Sequence, residues 1–320
     1  MTTLITGAGL VGTAFAQRAL ARGEGVVFFD PEPRADFIRL KLGDARVPLV
    51  RGDVRCLPDI VAAIQDHKAT TLVHTAGIIG GKVDDMLYAA LQINVQGTIN
   101  VAEAVRLTGV KRLVHVSTFG VYDMRRDVPK VMGEDFHRGA GRAYGNSKVA
   151  KELLLEAYRA RYGFELVGVR PANVIGNGHF WSGSGGGGKV HEMVLAGLDG
   201  RPARIPANQM MANEYIYSKD IGGILDAAAT APQPKQLWFN AGTGVLTGHD
   251  EMVSVFRKFF PKFSCEILPG KPGSSRDSVL DISAAKAQLG RAAPCPRPRA
   301  TGRGQRAKIR SSRAIRRIST

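Results

Sequence analysis

Apolar residues come in short blocks through the first half of the chain, and the blocks alternate between two periodicities. TLIT (3–6), GVVFFD (25–30), VPLVRGDV (47–54), TTLVHTAG (70–77), RLVHVST (112–118) and ELVGVRPANV (165–174) are compact runs rich in Val, Leu and Ile. Such runs suit strands buried on both faces. Between them, stretches with helical spacing cover 12–22, 57–67, 86–108 and 143–162. Strand and helix in regular alternation predict a parallel sheet with helices on both sides.

After about Asn173 the order loosens into a glycine-rich stretch, SGSGGGGK (182–189), followed by short strands and helices. The reading is an α/β protein with a Rossmann-type doubly wound parallel sheet and a smaller, discontinuous substrate lobe. Residues 1–173 form the dinucleotide-binding domain, to which 212–245 partly return, and 174–290 form mainly the substrate lobe. SGSGGGGK lacks both the GKS/T ending and the preceding strand of a phosphate loop, so it reads as a flexible substrate-side loop.

Composition changes this picture at one place. The net charge of +16 suggests nucleic acid until it is mapped, because residues 291–320 hold nine Arg, one Lys and no acid, leaving +6 for the rest. Arg, Pro, Ala, Gly and Ser with few large apolar residues cannot offset chain entropy, so disorder is expected there. Three readings of this tail stay open: an arm for nucleic acid or an anionic surface, a solvated tail, or out-of-frame translation of a GC-rich gene. Nucleic acid is not expected as a partner except through it. Cys56, Cys265 and Cys295 have no metal-ligand spacing, and no disulfide framework or metal site is expected. No leader pattern and no apolar run of membrane length is visible, so a cytoplasmic protein without a membrane partner is expected.

The chemistry starts at TGAGLVG (6–12). Gly7, Gly9 and Gly12 follow a predicted strand and open a helix, the context in which GxGxxG gives a tight turn, close approach to a pyrophosphate and close helix packing. Asp30 ends the next strand, where a carboxylate accepts hydrogen bonds from an adenosine ribose and repels a 2′-phosphate, favouring NAD over NADP. In AYGNSKVAKE, Tyr144 and Lys148 lie four apart, on one face of a helix. A neighbouring ammonium is expected to favour the phenolate and bring the tyrosine towards a working acid/base. Ser117 and Thr118, at a strand end, complete the constellation.

These motifs, in this order, resemble the NAD-dependent epimerase/dehydratase family of extended short-chain dehydrogenases, from Thr3 to about Gly290. TGAGLVG resembles the cofactor loop, GDV (52–54) the adenine-side element, HTAG (74–77) the stretch beside the cofactor, and NVQGT (94–98) the Asn-bearing helix. STFGVY (117–122), YGNSK (144–148), RPANVIG (170–176) and EYIYSKDI (214–221) match later elements. The resemblance implies NAD held by Gly7, Gly9, Leu10, Val11, Gly12, Asp30, Asp53, Val54, Thr75, Ala76, Gly77, Asn94, Ser117, Tyr144, Lys148 and Pro171. It makes Tyr144 the acid/base, Lys148 its tuning partner and Thr118 the hydrogen-bonding partner of the reacting oxygen. Substrate would meet Thr118, Phe119 and Asn173. Asn94 has a structural reading as well, holding a kinked helix, a water or a backbone group. His74 and His115, within apolar strands, read as core residues.

The implied enzyme transfers a hydride between a secondary alcohol of a sugar-like or nucleotide-sugar substrate and nicotinamide. Where dehydratases carry Asp-Glu after the catalytic threonine, this chain has Phe119 and Gly120, which disfavours dehydration. Asn213 stands where nucleotide-sugar enzymes place an arginine, with Lys189 or Arg204 as other sources of charge. Two alternatives stay open: a dehydrogenase or reductase of a non-nucleotide small molecule, and a non-catalytic dinucleotide-binding regulator. The long helices of the family often pair into a homodimer.

Overall fold

The computed structural model describes residues 1–178, 185–273 and 277–290. Its first part runs β1 (Thr2–Thr6), α1 (Leu10–Ala21), β2 (Gly25–Asp30), α2 (Ala35–Leu42), β3 (Leu49–Arg51), α3 (Leu57–Asp66) and β4 (Thr71–His74). It continues through α4 (Lys82–Asp85), α5 (Leu87–Leu91), a π-turn (Gln92–Gln96), α6 (Gly97–Thr108), β5 (Arg112–Val116), β6 (Val131–Met132), α7 (Ala143–Tyr162) and β7 (Glu165–Pro171). The remainder is β8 (Asn173–Ile175), α8 (Gly185–Asp199), β9 (Ala203–Pro206), β10 (Asn213–Tyr217), α9 (Ser218–Thr230) and β11 (Trp238–Ala241). It closes with β12 (Leu246–Thr247), α10 (His249–Phe259), β13 (Cys265–Leu268), β14 (Val279–Leu280) and α11 (Ser283–Leu289).

Seven parallel strands form the main sheet in the order β11-β7-β5-β4-β1-β2-β3. Their register explains the unbroken apolar runs. Leu4, Leu72, Leu113 and Leu166 line up across four strands and enter one core with α3 and α6. Their next neighbours Ile5, Val73, Val114 and Val167 line up on the opposite face and enter a second core with α1 and α9. Successive side chains of a strand point to opposite faces, so a sheet covered on both needs apolar residues at consecutive positions. The strand order reverses beside β1, which places the switch point at the carboxyl ends of β1 and β4, where open α/β sheets bind ligands.

A third core, built on Met193, Ala196, Ala203, Ile205, Tyr215, Met252 and Phe263, belongs to the second part of the chain. There β8, β10 and β12 form a three-stranded sheet and β9 pairs with β13. From β10 the chain returns through α9 and β11 to the main sheet, and Gly222 of α9 packs so close to α1 that a Cβ would lie 2.4 Å from the Ala14 carbonyl oxygen.

Three local differences from the sequence reading have physical causes. The single helix expected over 86–108 is broken by the π-turn, whose inserted geometry carries Asn94 inward. Gly185–Gly188, expected in a loop, form the first turn of α8, whose later apolar residues bury in the third core and stabilise a helix that glycine alone would not. The strand expected over 47–54 contracts to Leu49–Arg51 at the sheet edge. The basic tail and residues 182–184 of the glycine-rich stretch lie outside the described residues. Among those described, no helix is long and apolar enough to cross a membrane.

Candidate active site

Gly7 leaves β1 with φ +92°, and its N–H donates to Phe29 O at 2.9 Å, tying the turn to β2. A Cβ on Gly7 would lie 2.7 Å from Thr75 Oγ1, and one on Gly12 only 2.2 Å from Gly7 O. Around Gly9, by contrast, a Cβ would meet nothing within 4 Å. Two glycines thus permit the turn and the third leaves open space where α1 begins. Its first turn carries no acidic side chain and Gly9 no capping side chain, so the free N–H groups face an anion-attracting space. Leu10 is buried and Val11 half-buried beneath it.

Asp30 ends β2 against this loop, with Oδ2 accepting from Ala8 N at 2.8 Å and Oδ1 from Glu32 N at 2.9 Å. Each oxygen keeps a lone pair for a ribose hydroxyl. The open face at Gly9, the bare helix N-terminus and this carboxylate together fit a dinucleotide. Beyond β3, a cavity of about 430 Å³ is lined by Asp53, Arg55, Cys56, Gln92 and Gln96. Asp53 is held below the usual carboxylate range by its hydrogen bonds from Arg55, whose Nη2 lies 2.6 Å away. Val54 is buried against Gly97, where a Cβ would lie 2.6 Å from Val54 Cγ2.

The loop after β4 is clamped from below. Thr75 Oγ1 donates to the carbonyls of Thr6 at 2.7 Å and Gly7 at 3.0 Å. Asn94 Oδ1 accepts from Ile78 N at 2.8 Å, and its Nδ2 donates to Ile78 O at 3.0 Å and to Ser147 Oγ at 3.2 Å. A Cβ on Gly77 would lie 2.8 Å from that Oδ1, so Gly77 admits the clamp. Asn94 is fully buried with its amide spent on the loop, which makes it a support of the Ala76–Gly77 backbone.

Thr118 lies two residues past β5, its Oγ1 accepting from Gly120 N at 3.1 Å, and Gly120 brings it beside the Tyr144 ring in the first turn of α7, where a Cβ on Gly120 would lie 3.4 Å from Thr118 Oγ1 and 4.0 Å from Tyr144 Cε1. One turn on, Lys148 Nζ donates to Val116 O at 2.9 Å and sits 6.0 Å from the Tyr144 ring centre. The structure therefore brings Thr118, Tyr144 and Lys148 together at the carboxyl end of β5. It also corrects the expected electrostatics. Burial pushes Tyr144 up to about 12, with only the neighbouring Thr118 hydroxyl acting against it, and pushes Lys148 down to about 8, with Glu152 acting against that shift. The loss of water outweighs the neighbouring ammonium, which is turned towards Val116 O.

Ser117 spends its hydroxyl on Glu152, donating to Oε1 at 2.6 Å. Phe119 is half-buried beside the trio, and Pro171 is buried at the end of β7. Asn173 donates through Nδ2 to Glu214 O at 3.0 Å and lies against the first turn of α8, where a Cβ on Gly186 would be 2.9 Å from its Oδ1. Asn213, in the place of the family's arginine, donates to Met211 O at 3.2 Å. His74 and His115 are fully buried, with burial and the nearby lysines Lys151 and Lys148 holding both well below the usual imidazole range. His74 bonds Thr6 Oγ1 at 2.7 Å and Thr98 Oγ1 at 3.0 Å. Among the described residues no group of His, Cys, Asp and Glu could hold a metal.

The sequence reading passed over a buried polar network behind the trio. Arg170 donates to Glu152 through Nε at 2.9 Å and Nη2 at 2.7 Å, and through Nη1 to Tyr122 Oη at 3.1 Å. Tyr122 Oη donates in turn to Asn240 Oδ1 at 2.6 Å. The available signal was an arginine inside an otherwise apolar strand, with a glutamate four residues beyond Lys148 on the same helical stripe.

The chain is similar to known proteins along nearly its whole length. The profile of the NAD dependent epimerase/dehydratase family matches residues 3–242. A UDP-glucose 4-epimerase of Mycolicibacterium smegmatis is 32% identical over 299 residues, covering 91% of this chain and 93% of that protein. A mouse 3 beta-hydroxysteroid dehydrogenase type 7 is 30% identical over 182 residues, 50% of this chain and 47% of its own length. The Thermus thermophilus UDP-glucose 4-epimerase in complex with NAD superposes with a TM-score of 0.78 at 26% identity, covering 91% and 94% of the two chains. With the glycine turn, Asp30 and the Thr118–Tyr144–Lys148 cluster on one sheet edge, the chain belongs to the NAD dependent epimerase/dehydratase family, whose members are enzymes.

Proposed function

We propose that the protein is an NAD-dependent 4-epimerase acting on a nucleotide sugar, with a UDP-hexose as the substrate class. One observation carries the chemistry: Tyr144 stands beside Thr118 while Lys148 lies one turn away, all at the strand edge that also holds the glycine turn. The substrate class is supported by relatives of that activity that match more than nine-tenths of both chains.

NAD, when bound, supplies the redox chemistry by accepting a hydride from the sugar carbon and giving it back. The backbone N–H groups at the start of α1 would hold its pyrophosphate and Asp30 its adenosine ribose. Tyr144 takes the proton of the substrate hydroxyl as the carbonyl forms and returns it on reduction. Thr118 holds the same oxygen, and the Lys148 ammonium favours the phenolate as charge develops. Phe119 and Gly120 offer no acid to drive off water, so the ketone is reduced again rather than dehydrated. Asn173 and the first turn of α8 face the diphosphate side of the substrate lobe.

Incubation with NAD and UDP-glucose, followed by NMR of the sugar, tests this reading: interconversion with UDP-galactose and no net NADH is expected. Net NADH formation with a sugar or a non-nucleotide alcohol would make it a dehydrogenase. Replacing Tyr144 with Phe should lower turnover by about 10²–10⁴-fold while NAD binding persists, whereas a dinucleotide sensor would be indifferent. The active form in this reading is a homodimer, paired through exposed Tyr88 and Leu91 of α5 and Leu153 of α7. Sedimentation of Leu153→Glu as a monomer, against a dimeric parent, checks it. Half-buried thiols at Cys56 and Cys265, neither in a disulfide, suit a reducing compartment such as the cytoplasm.

A further inference from the structure

We propose that Glu152 is a positioning residue of the catalytic centre, fixing Ser117 at the end of β5 and supplying the counter-charge that keeps Lys148 an ammonium. The proposal rests on the catalytic reading of Tyr144 and Lys148. Glu152 is fully buried, eight residues beyond Tyr144 and four beyond Lys148, so all three share one stripe of α7. Its carboxylate accepts from Ser117 Oγ at 2.6 Å, from Arg170 at 2.9 and 2.7 Å, and from Arg138 Nη1 at 3.1 Å. Ser117 is the residue before Thr118, so the same carboxylate holds the helix that carries Tyr144 and the strand end that carries its partner.

The charges around Lys148 give this carboxylate its second role. From α7 Lys148 meets Tyr144, Lys151 and Glu152. From β4 and β5 come His74 and His115, both held neutral, and Arg170 of β7 lies behind Glu152. Lys151 is fully buried too, with Nζ 3.4 Å from Ala76 O, and burial and Lys148 push its ammonium well below the usual range. Of the two buried amines, Lys148 is the one that lies one turn from Glu152, a carboxylate whose charge is already shared with Arg170 and Arg138. Burial disfavours the charged form of both amines, and Glu152 offsets this at Lys148. The balance makes the charge of Lys148 depend on Glu152 and on how strongly the two arginines neutralise it.

The pH profile of kcat/KM separates this role from a merely structural one. Activity that needs a charged Lys148 falls as pH rises through its pKa. In Glu152→Gln the alkaline limb is expected to move down by about half to one pH unit. Arg138→Gln removes a competing cation at the partly exposed edge of the network, and its limb is expected to move up. In Lys151→Met, which removes an amine whose charged form burial and Lys148 disfavour, the limb is expected to stay. If Glu152→Gln does not fold, judged by its thermal melt, the upward shift in Arg138→Gln decides the matter. Unmoved limbs in both variants, or a limb in Lys151→Met shifted as far as in Glu152→Gln, would overturn the proposal. Retained turnover in Tyr144→Phe would instead overturn the catalytic reading beneath it, a result distinct from an unmoved limb.

Discussion

Gly12 faces the carbonyl oxygen of Gly7 so closely that a Cβ at position 12 would lie 2.2 Å from it. The contact lets α1 start against the turn, and any side chain at Gly12 must push the two apart. Gly12→Ala is expected to cost about 1–3 kcal/mol by overpacking and to weaken NAD binding with it. Gly9→Ala should behave differently, because its Cβ meets no protein atom within 4 Å. Its melting temperature should match the parent's while NAD affinity falls, since the methyl enters the space left for the ligand. Thermal melts with NAD titrations check both, and a Gly9→Ala variant that binds NAD normally would remove that glycine from the cofactor face.

Asn94 makes a second kind of support. Its amide satisfies both backbone groups of Ile78, so Asn94→Ala strands a buried donor and acceptor, at about 1–3 kcal/mol. The loss falls on the Ala76–Gly77 loop, and NAD affinity is expected to drop along with the melting temperature. An unchanged NAD affinity in a less stable Asn94→Ala protein would show that the loop keeps its place without the clamp.

The sheet, the glycine turn and the Thr118–Tyr144–Lys148 cluster were legible in the sequence because each rests on local order. Consecutive apolar residues in register need both faces covered, and a glycine at φ +92° or a four-residue helical spacing shows itself within a few positions. The inward turn of Asn94 was not legible as geometry. A π-turn leaves no periodicity of its own, and its partner Ile78 lies sixteen residues away. The Glu152–Arg170 pair was hidden for the same reason, its two halves sitting on α7 and β7. The sign of the Tyr144 shift also depended on burial, which charge spacing along a helix does not report. Gly185–Gly188 misled in the opposite direction, since local composition pointed to a loop and tertiary packing made a helix.

Lys148 couples stability to pH in a way that can be separated from its role in turnover. Its pKa falls from 10.5 in the unfolded chain to about 8 in the fold. Between those values the unfolded state binds more protons, so stability rises with pH across the window and is lowest below it. Lys148→Met removes this burden and keeps the side-chain volume nearly constant. At pH 7 the variant is expected to be more stable than the parent by on the order of 1–3 kcal/mol, while turnover is lost. The gap should narrow towards pH 10, where the lysine of the parent is neutral in the fold while that of the unfolded chain is still mostly charged. Tyr144, raised to about 12, destabilises the fold as pH passes 10, but it does so in both proteins and cancels in the comparison. Denaturant melts of parent and variant at pH 7 and pH 10 provide the measurement. A stability gap of the same size at both pH values would mean that Lys148 is not buried as a charge at neutral pH.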